Sequence, residues 1–208
     1  MTPTKWTISA AFAVLIAAWA WSVGLPAEKA TEPGPVAKAY FAGGCFWCME
    51  EAFEKLDGVV EAVSGYMGGT VKNPSYEEVS TGRTGHAESV EVRYDPKKVT
   101  YTQLLEAFWR NVDPVTPNAQ FCDHGSQYRA AIFYQGDEEK RTAEDSKHAI
   151  ELSKRFKEPV VTQIVAAPEF YPAEEYHQDF YKKNPIRYKY YKFSCGRAQR
   201  LEILWGKS

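Results

Sequence analysis

Residues 43–48, with the sequence GGCFWC, constrain the fold of this chain more than any other stretch. A β-prone segment (36–42) precedes them, and apolar residues recur at helical spacing over 46–56. Two consecutive glycines allow a sharp turn between these two elements. The pattern therefore predicts a strand, a glycine turn and a helix, with Cys45 at the start of the helix.

Cys45 is the candidate nucleophile of this stretch. The helix dipole and the unpaired N–H groups at a helix N-terminus stabilise a thiolate, so we expect a lowered pKa at Cys45. Cys48 lies one helical turn further on, close enough to face Cys45. Between them, Phe46 and Trp47 form an apolar wall beside the sulfur. Such a wall suits a small apolar group, for example a methyl group on sulfur.

A pair of cysteines two residues apart admits several chemistries. A zinc site would use all four cysteines of the chain, but Cys122 and Cys195 lack the tight spacing of zinc ligands. A haem attachment requires histidine after the second cysteine, where this chain has Met49. A static disulfide in a binding module and a thiol-based redox enzyme both remain open. Among redox enzymes, a thioredoxin-like disulfide exchanger competes, although small or charged residues would suit its motif better.

Composition limits the classes of partner. The chain has 208 residues, four cysteines and a formal net charge of −2. A chain of this length can bury a core without disulfides, so its cysteines favour chemistry over scaffolding. Lysine and arginine are scattered among acidic residues, which excludes a nucleic-acid partner. We expect a monomer.

The first 27 residues differ from the rest of the chain. Lys5 is followed by a charge-free, mostly apolar run over 6–25, which is typical of a secretory signal peptide. Leu25 departs from the usual cleavage pattern, and about twenty apolar residues can also span a bilayer, so an uncleaved membrane anchor is the alternative. We expect a signal peptide or anchor at 1–27, a linker at 28–35 and a catalytic domain at 36–208. That domain would be exported, either periplasmic or extracellular, and would meet a membrane only through an uncleaved anchor.

Alternation over residues 87–94 singles out one carboxyl group. Val90, Val92 and Tyr94 share one face of the predicted strand, and Glu88 has the same parity. A carboxyl group aimed at the apolar side is desolvated, which raises its pKa and suits a proton donor near neutrality. The alternative is a glutamate that turns to solvent or pairs with an arginine.

Local signals predict the remaining elements. Helices interleaved with alternating strands favour an α/β sandwich with a mixed sheet. The C-terminal part, from 186 onward, is expected to be loop-like around Cys195. In chain order, the other predicted elements are a strand at 59–66, a helix after a capping box at 100–103, a loop at 111–127, a strand at 128–135, a helix at 137–157, a strand at 160–167 and a helix at 173–183.

Seven motifs together resemble the signature series of the peptide methionine sulfoxide reductase A family. In chain order they are 43–48 (GGCFWC), 64–66 (SGY), 68–69 (GG), 73–76 (NPSY), 84–88 (TGHAE), 123–129 (DHGSQYR) and 170–178 (FYPAEEYHQ). The resemblance implies a ferredoxin-like, two-layer α/β sandwich with a mixed central sheet. It also implies thiol-dependent reduction of the S epimer of methionine sulfoxide, free or in oxidised proteins, with no metal and no organic cofactor.

The resemblance also implies roles for individual residues. It places the nucleophile at Cys45 and the methyl pocket at Phe46 and Trp47. The carboxyl group that meets the sulfoxide oxygen falls on Glu88, in agreement with the parity of the strand. The same site would also hold Tyr76, Tyr128 and Asp123.

In the implied mechanism, Cys45 becomes a sulfenic acid, a second thiol condenses with it to form a disulfide, and a thioredoxin-like dithiol donor reduces that disulfide. Cys48 and Cys195 are both candidates for the second thiol, because a helical turn can hold Cys48 in poor geometry for attack. A relay through Cys48 and then Cys195 fits both.

Four further features have simpler interpretations. Cys122 is expected to be a buried, inert thiol. His86 and His177 are expected to hold hydrogen-bond networks together. The tyrosines at 188, 190 and 191 are expected to pack against a sheet edge.

Overall fold

The computed structural model describes residues 1–2 and 35–207. The second range belongs to one structural unit, Pro33–Ser208. Residues 3–27 of the predicted signal peptide or anchor and nearly all of the linker lie outside the described residues, so both stay predictions. Every helix in the described ranges is too short or too polar to cross a membrane.

Strands and helices alternate along most of the chain. In order they are β1 (Ala37–Gly43), α1 (Phe46–Glu54), β2 (Val59–Met67), α2 (Tyr76–Ser80), β3 (Ala87–Tyr94), α3 (Tyr101–Arg110), β4 (Ala119–Gln120), β5 (Asp123–His124), a 3₁₀ turn (Ser126–Tyr128), β6 (Ala130–Tyr134), α4 (Gly136–Leu152), β7 (Gln163–Ala166), β8 (Tyr171–Pro172), α5 (Phe180–Lys183), α6 (Pro185–Ser194) and α7 (Arg197–Trp205). The predicted capping box at Thr100 and Gln103 is present and opens α3.

Six strands form one mixed sheet in the order β7-β6-β1-β3-β2-β8. Strands β6 and β7 are parallel, and the other neighbours are antiparallel. Strands β1, β2, β3 and β6, with helices α1 and α3 as crossovers, have the split β-α-β order of ferredoxin-like folds. The predicted fold class is confirmed. Strands β4 and β5 pair separately as a short ribbon within the predicted loop.

The alternation of side chains along β3 determines which of its residues face α1. Val90 and Val92 pair with Phe41 and Ala39 of β1, and all four side chains are buried in the main core beside residues of α1 and α3. Glu88 has the parity of the two valines and stands near the start of the same strand. Its carboxyl group therefore reaches the N-terminus of α1 from the face of the sheet on which α1 packs.

Gly44 forms the turn from β1 into α1. Its φ is +82°, and a Cβ atom there would lie 2.4 Å from the Cβ of Gln120. Only glycine fits this backbone without strain. Helix α1 then begins at Phe46 with Cys45 as its N-cap residue. The predicted strand, turn and helix are confirmed.

The C-terminal part differs from the prediction. Residues 173–179 are coil and turn, and only Phe180–Lys183 are helical, because Asp179 adopts a left-handed φ of 54°. The segment expected to be loop-like forms α6 and α7. Pro185 suits the first turn of α6, and Gly196, with a φ of +67°, separates the two helices.

Candidate active site

Two free thiols lie at the N-terminus of α1. The side chains of Cys45 and Cys48 are 5% and 2% exposed, and each is a hydrogen-bond partner of the other. One helical turn therefore places both thiols in the same buried cluster. Whether this turn gives Cys48 a good geometry for attack on Cys45 stays a prediction.

The pKa of Cys45 is raised, not lowered. Burial raises the pKa of the Cys45 thiol well above its usual range, Cys48 and Glu88 add to this effect, and a hydrogen bond from Tyr191 opposes it. The expectation of a lowered pKa is therefore wrong. Enclosure of the sulfur is the physical reason, together with the presence of the Glu88 carboxyl group at the end of the helix.

The pKa of Cys48 is lowered, in contrast to that of Cys45. Its hydrogen bond with Cys45 lowers the pKa of the Cys48 thiol against the effect of burial, and Arg197, Tyr188 and Lys192 lower it further. The interaction between the two thiols thus shifts their pKa values in opposite directions. The cationic side chains of Arg197 and Lys192 favour negative charge on Cys48.

Glu88 is a buried acid directly beside the helix N-terminus. Its side chain is 3% exposed, and its Oε2 accepts a hydrogen bond from the backbone N–H of Phe46 at 3.1 Å. Burial raises the pKa of Glu88 to about 8, Asp123 and Cys48 raise it as well, and the Phe46 N–H lowers it. Glu88 is therefore mostly protonated at neutral pH. The prediction of a desolvated carboxyl group with a raised pKa is confirmed.

A small cavity of about 90 Å³ joins these groups. It can take a group of only a few heavy atoms. Its lining includes seven of the nine predicted site residues together with Tyr191, and it consists of Cys45, Phe46, Trp47, Tyr76, Glu88, Asp123, Tyr128 and Tyr191. Cys48 is buried beside Cys45 and is not part of this lining. Cys195 is not part of this lining.

Two contacts outside the cavity hold the Trp47 ring of its aromatic wall in place. The Trp47 ring stacks on Phe180 with a centroid distance of 3.7 Å and an interplanar angle of 7°. Its Nε1–H donates to Nδ1 of His177 at 3.1 Å. Burial lowers the pKa of His177, so its ring stays neutral and Nδ1 can accept this bond. The predicted network role of His177 is confirmed.

His86 has a similar structural role at the adjoining loop. Its Nδ1 accepts a hydrogen bond from the backbone N–H of Gly69 at 3.1 Å, and its Nε2 lies 2.7 Å from the carbonyl oxygen of Val71. The side chain is 1% exposed. The imidazole thus ties two loops together, as predicted.

Two tyrosines of α6 belong to the site, which the sequence analysis missed. The Tyr191 hydroxyl donates to Oδ2 of Asp123 at 2.5 Å and is also a hydrogen-bond partner of Cys45. The Tyr188 hydroxyl donates to Oε2 of Glu51 at 2.6 Å and approaches Cys48. The prediction that both only pack against a sheet edge is wrong. Their spacing of three residues would have placed them on one face, had this segment been predicted as a helix.

The other two cysteines form a disulfide. Cys122 and Cys195 are bonded to each other across 73 positions of sequence, and Cys122 is exposed. The prediction of a buried, inert Cys122 thiol is therefore wrong, and Cys195 is not a free resolving thiol in this state. A zinc site built on four thiolates is not supported, because two of the sulfurs are bonded to each other.

Comparisons with known proteins agree with this geometry. A family model described as peptide methionine sulfoxide reductase matches residues 37–208. Peptide methionine sulfoxide reductase MsrA of Halalkalibacterium halodurans is 51% identical over 170 residues, covering 82% of this chain and 97% of that protein. The crystal structure of reduced Mxr1 from Saccharomyces cerevisiae has a TM-score of 0.68 and 34% identity, covering 74% of this chain and 88% of that chain. The structure of Mxr1 in complex with Trx2 has a TM-score of 0.50 and 25% identity, covering 73% and 91%. The chain belongs to the peptide methionine sulfoxide reductase family.

Proposed function

We propose that this protein reduces methionine sulfoxide, specifically the S epimer, both free and within oxidised proteins. One observation carries the proposal: the Cys45 sulfur lines a small cavity together with the protonated Glu88 carboxyl group and two aromatic rings. A sulfoxide presents a methyl group, a sulfur and a basic oxygen, and the cavity has a matching surface for each. Family membership supports the same reaction.

The substrate methyl group would contact the rings of Phe46 and Trp47, where dispersion and burial favour an apolar group. The sulfoxide oxygen would then face Glu88. The phenol groups of Tyr76 and Tyr128 line the same cavity and can donate further hydrogen bonds to the oxygen. This arrangement stabilises negative charge as it develops on oxygen.

The chemical step transfers oxygen from the substrate to the enzyme. Glu88 donates its proton to the sulfoxide oxygen while the Cys45 sulfur attacks the substrate sulfur. Methionine leaves, the oxygen remains on Cys45 as a sulfenic acid, and the thiol proton of Cys45 restores the Glu88 acid. The net reaction converts one thiol and one sulfoxide into one sulfenic acid and one thioether.

Cys48 would resolve the sulfenic acid. Its thiol lies in the same buried cluster as Cys45, and neighbouring hydrogen bonds and cations favour its thiolate. Attack on the sulfenic sulfur forms a Cys45–Cys48 disulfide and releases water. Cys195 would need to leave its bond with Cys122 before it could compete.

A thioredoxin-like dithiol protein would complete the cycle. Thiol–disulfide exchange transfers two electrons from its dithiol to the Cys45–Cys48 bond and leaves the donor as a disulfide. The related Mxr1 forms a complex with Trx2, which supports a donor of this class. We propose that the enzyme is a monomer, and each step uses only sulfur and proton chemistry of the residues named.

We also propose that the catalytic domain, residues 36–208, works outside the cytoplasm. Residues 6–25 have the composition of an export signal or anchor. The exposed Cys122–Cys195 disulfide supports an oxidising compartment, because the cytoplasm keeps such bonds reduced. Mass spectrometry of the N-terminus of the protein from its native host tests this. An intact N-terminus on protein from the cytoplasmic fraction would contradict it.

The activity test uses the domain with racemic methionine sulfoxide and dithiothreitol. We expect consumption to stop when the S epimer, half of the racemate, is exhausted, and we expect no consumption by Cys45→Ser. Consumption of both epimers would contradict the proposed selectivity, and consumption of neither would contradict the reaction. Reduction of insulin disulfides at a rate that depends on Cys45 would favour a thioredoxin-like exchanger instead.

A further inference from the structure

We propose that the Cys122–Cys195 disulfide is a clasp that holds α6 closed over the two reactive sulfurs and positions Tyr191 and Asp123 beside Cys45. The inference rests on the proposed function in so far as it concerns sulfoxide reduction. In this assignment Cys122 and Cys195 are positioning residues. They act through their neighbours and do not touch the substrate.

The clasp joins the segment that carries Asp123 to the helix that carries Tyr191. Cys122 immediately precedes Asp123, at the start of β5, and Cys195 is the C-cap residue of α6, one helical turn after Tyr191. Outside the covalent bond, the Tyr191 hydroxyl donates to Asp123, and the backbone N–H of Cys122 donates to Sγ of Cys195 at 3.2 Å. The disulfide thus closes a ring around the Tyr191–Asp123 hydrogen bond.

Helix α6 contacts the site through only one of its faces. Its inner face reaches α1 through polar bonds to Glu51, one from Tyr188 and one from Lys192. Its outer face is exposed, and the exposed apolar residues there are Ile186, Tyr190 and Phe193. The inner face also packs against the thiols through the buried Tyr188 ring and against Trp47 through Tyr191. A short helix held on one face benefits from a covalent tether, because the tether limits the conformations available when those contacts break.

The neighbouring helix has an anchor of its own. Arg197, at the start of α7, is 2% exposed and donates to the carbonyl oxygens of Asn111 and Gly43 at 2.6 and 3.4 Å. Its guanidinium group also lies over the Phe121 ring. Opening the clasp therefore frees the end of α6 from the segment that carries Asp123, while the start of α7 stays attached.

Neither sulfur of the clasp lines the reaction cavity, whereas Tyr191 and Asp123 both do. Opening the clasp should therefore expose Cys45 and at the same time separate Tyr191 from Asp123. The titratable and charged groups that face the thiol pair from the elements packed around it are Tyr76, Glu88, Asp123, Tyr128, Tyr188, Tyr191, Lys192 and Arg197. Of these, α6 and the segment beside Cys122 supply Tyr188, Tyr191, Lys192 and Asp123.

The first measurement is the pH dependence of Cys45 alkylation by iodoacetamide in a Cys48→Ser background, followed by peptide mass spectrometry. The clasp is either oxidised or opened with a phosphine that is then removed by desalting, so both states have the same sequence. We expect opening to lower the pH midpoint, because burial is the main cause of the raised pKa of Cys45. Alkylation below the midpoint should accelerate about tenfold for each unit of that shift.

Two variants calibrate this measurement. Tyr191→Phe with the clasp oxidised should raise the midpoint, because the hydroxyl group that stabilises the thiolate is lost while the helix stays closed. Ser194→Ala, at an exposed position on the same turn as Cys195, should leave the midpoint unchanged. Near-UV circular dichroism checks that the opened protein remains folded. An identical midpoint in the oxidised and opened states would overturn the proposal.

The second measurement is single-turnover reduction of methionine sulfoxide, which needs no reductant in the Cys48→Ser background. Opening the clasp, or the further double change Cys122→Ser and Cys195→Ser, should slow this step about tenfold, comparable to the loss of a hydrogen bond near a charged group. Opening would thus accelerate alkylation and slow reduction, and reoxidation should restore both rates. An unchanged single-turnover rate would overturn the positioning role and favour a purely electron-carrying disulfide. If no methionine forms in either state, the proposed function fails, while the alkylation profile still tests the clasp.

Discussion

The Glu88 carboxyl group and the backbone N–H of Phe46 are joined by a hydrogen bond of 3.1 Å. Phe46 is the first residue of α1, and Cys45 is its N-cap residue, so this bond brings a strand carboxyl group to the helix end that carries the thiol. A carboxyl oxygen satisfies an N–H group that helix geometry leaves without a partner. The acid and the nucleophile are thus held at the same end of one helix.

The first prediction concerns proton donation. Glu88→Gln keeps an acceptor for the Phe46 N–H but has no acidic proton, so kcat/KM for methionine sulfoxide should fall by about 10²-fold to 10⁴-fold. In the wild type, kcat/KM should rise with pH as the Cys45 thiolate forms. It should level off above about pH 8, because loss of the Glu88 proton then offsets further formation of the thiolate. In the variant, the rise should continue above that pH.

Glu91→Gln is the matched control for this change. Glu91 lies on the same strand with the opposite parity, and it pairs with Lys38 and Arg93 on the other face of the sheet. The Glu91→Gln variant should retain wild-type activity at temperatures below its unfolding transition. A Glu88→Gln variant as fast as the wild type would rule out Glu88 as the proton donor.

The second prediction concerns stability. The pKa of Glu88 is about 8 in the folded protein against 4.5 for an ordinary glutamate, so the folded state binds the proton more tightly. This contribution to stability is complete below about pH 4.5 and is lost as pH rises through about 8. Relative to the wild type, Glu88→Gln should therefore gain about 3 kcal/mol of unfolding free energy between pH 5 and pH 8. Urea unfolding at both pH values measures the difference, and a constant difference would contradict the raised pKa.

The third prediction concerns the aromatic wall. Trp47→Ala removes the surface for the substrate methyl group and the stacking on Phe180, so kcat/KM should fall about 10-fold to 100-fold. Trp47→Phe keeps an apolar ring and loses the bond to His177, so it should lose less activity. Trp205→Ala, at the end of α7, removes a ring packed on Phe156 and serves as the control with unchanged kcat/KM. Equal effects of the changes at Trp47 and Trp205 would indicate general destabilisation.

The fourth prediction concerns the resolving thiol. After reaction with methionine sulfoxide in the absence of a reductant, peptide mapping should find a Cys45–Cys48 bond beside an intact Cys122–Cys195 bond. Cys48→Ser should release one methionine per enzyme and then stall with a thioredoxin donor. Cys195→Ser should continue to turn over, at a reduced rate. A Cys45–Cys195 bond as the wild-type product would contradict the assignment of Cys48.

Local signals accounted for much of the fold and the site. Alternation along β3 put Glu88 on the buried face, and the glycine turn put Cys45 at the start of α1, because both depend on spacing within a few residues. The C-terminal helices were missed because the dense aromatic and lysine content around Tyr188 and Tyr191 does not show a clear apolar stripe. Without those helices, the two tyrosines had no predicted route to the thiols.

The sequence by itself determined the strand, turn and helix around Cys45, the side of the sheet on which Glu88 lies and the family to which the chain belongs. These follow from periodicity, backbone geometry and motifs, which act over short distances along the chain. Only the tertiary structure decided that burial raises the pKa of Cys45, that Cys122 bonds to Cys195 and that Tyr191 reaches Asp123. Enclosure and pairing depend on how segments far apart in sequence pack together, and local spacing does not contain that information.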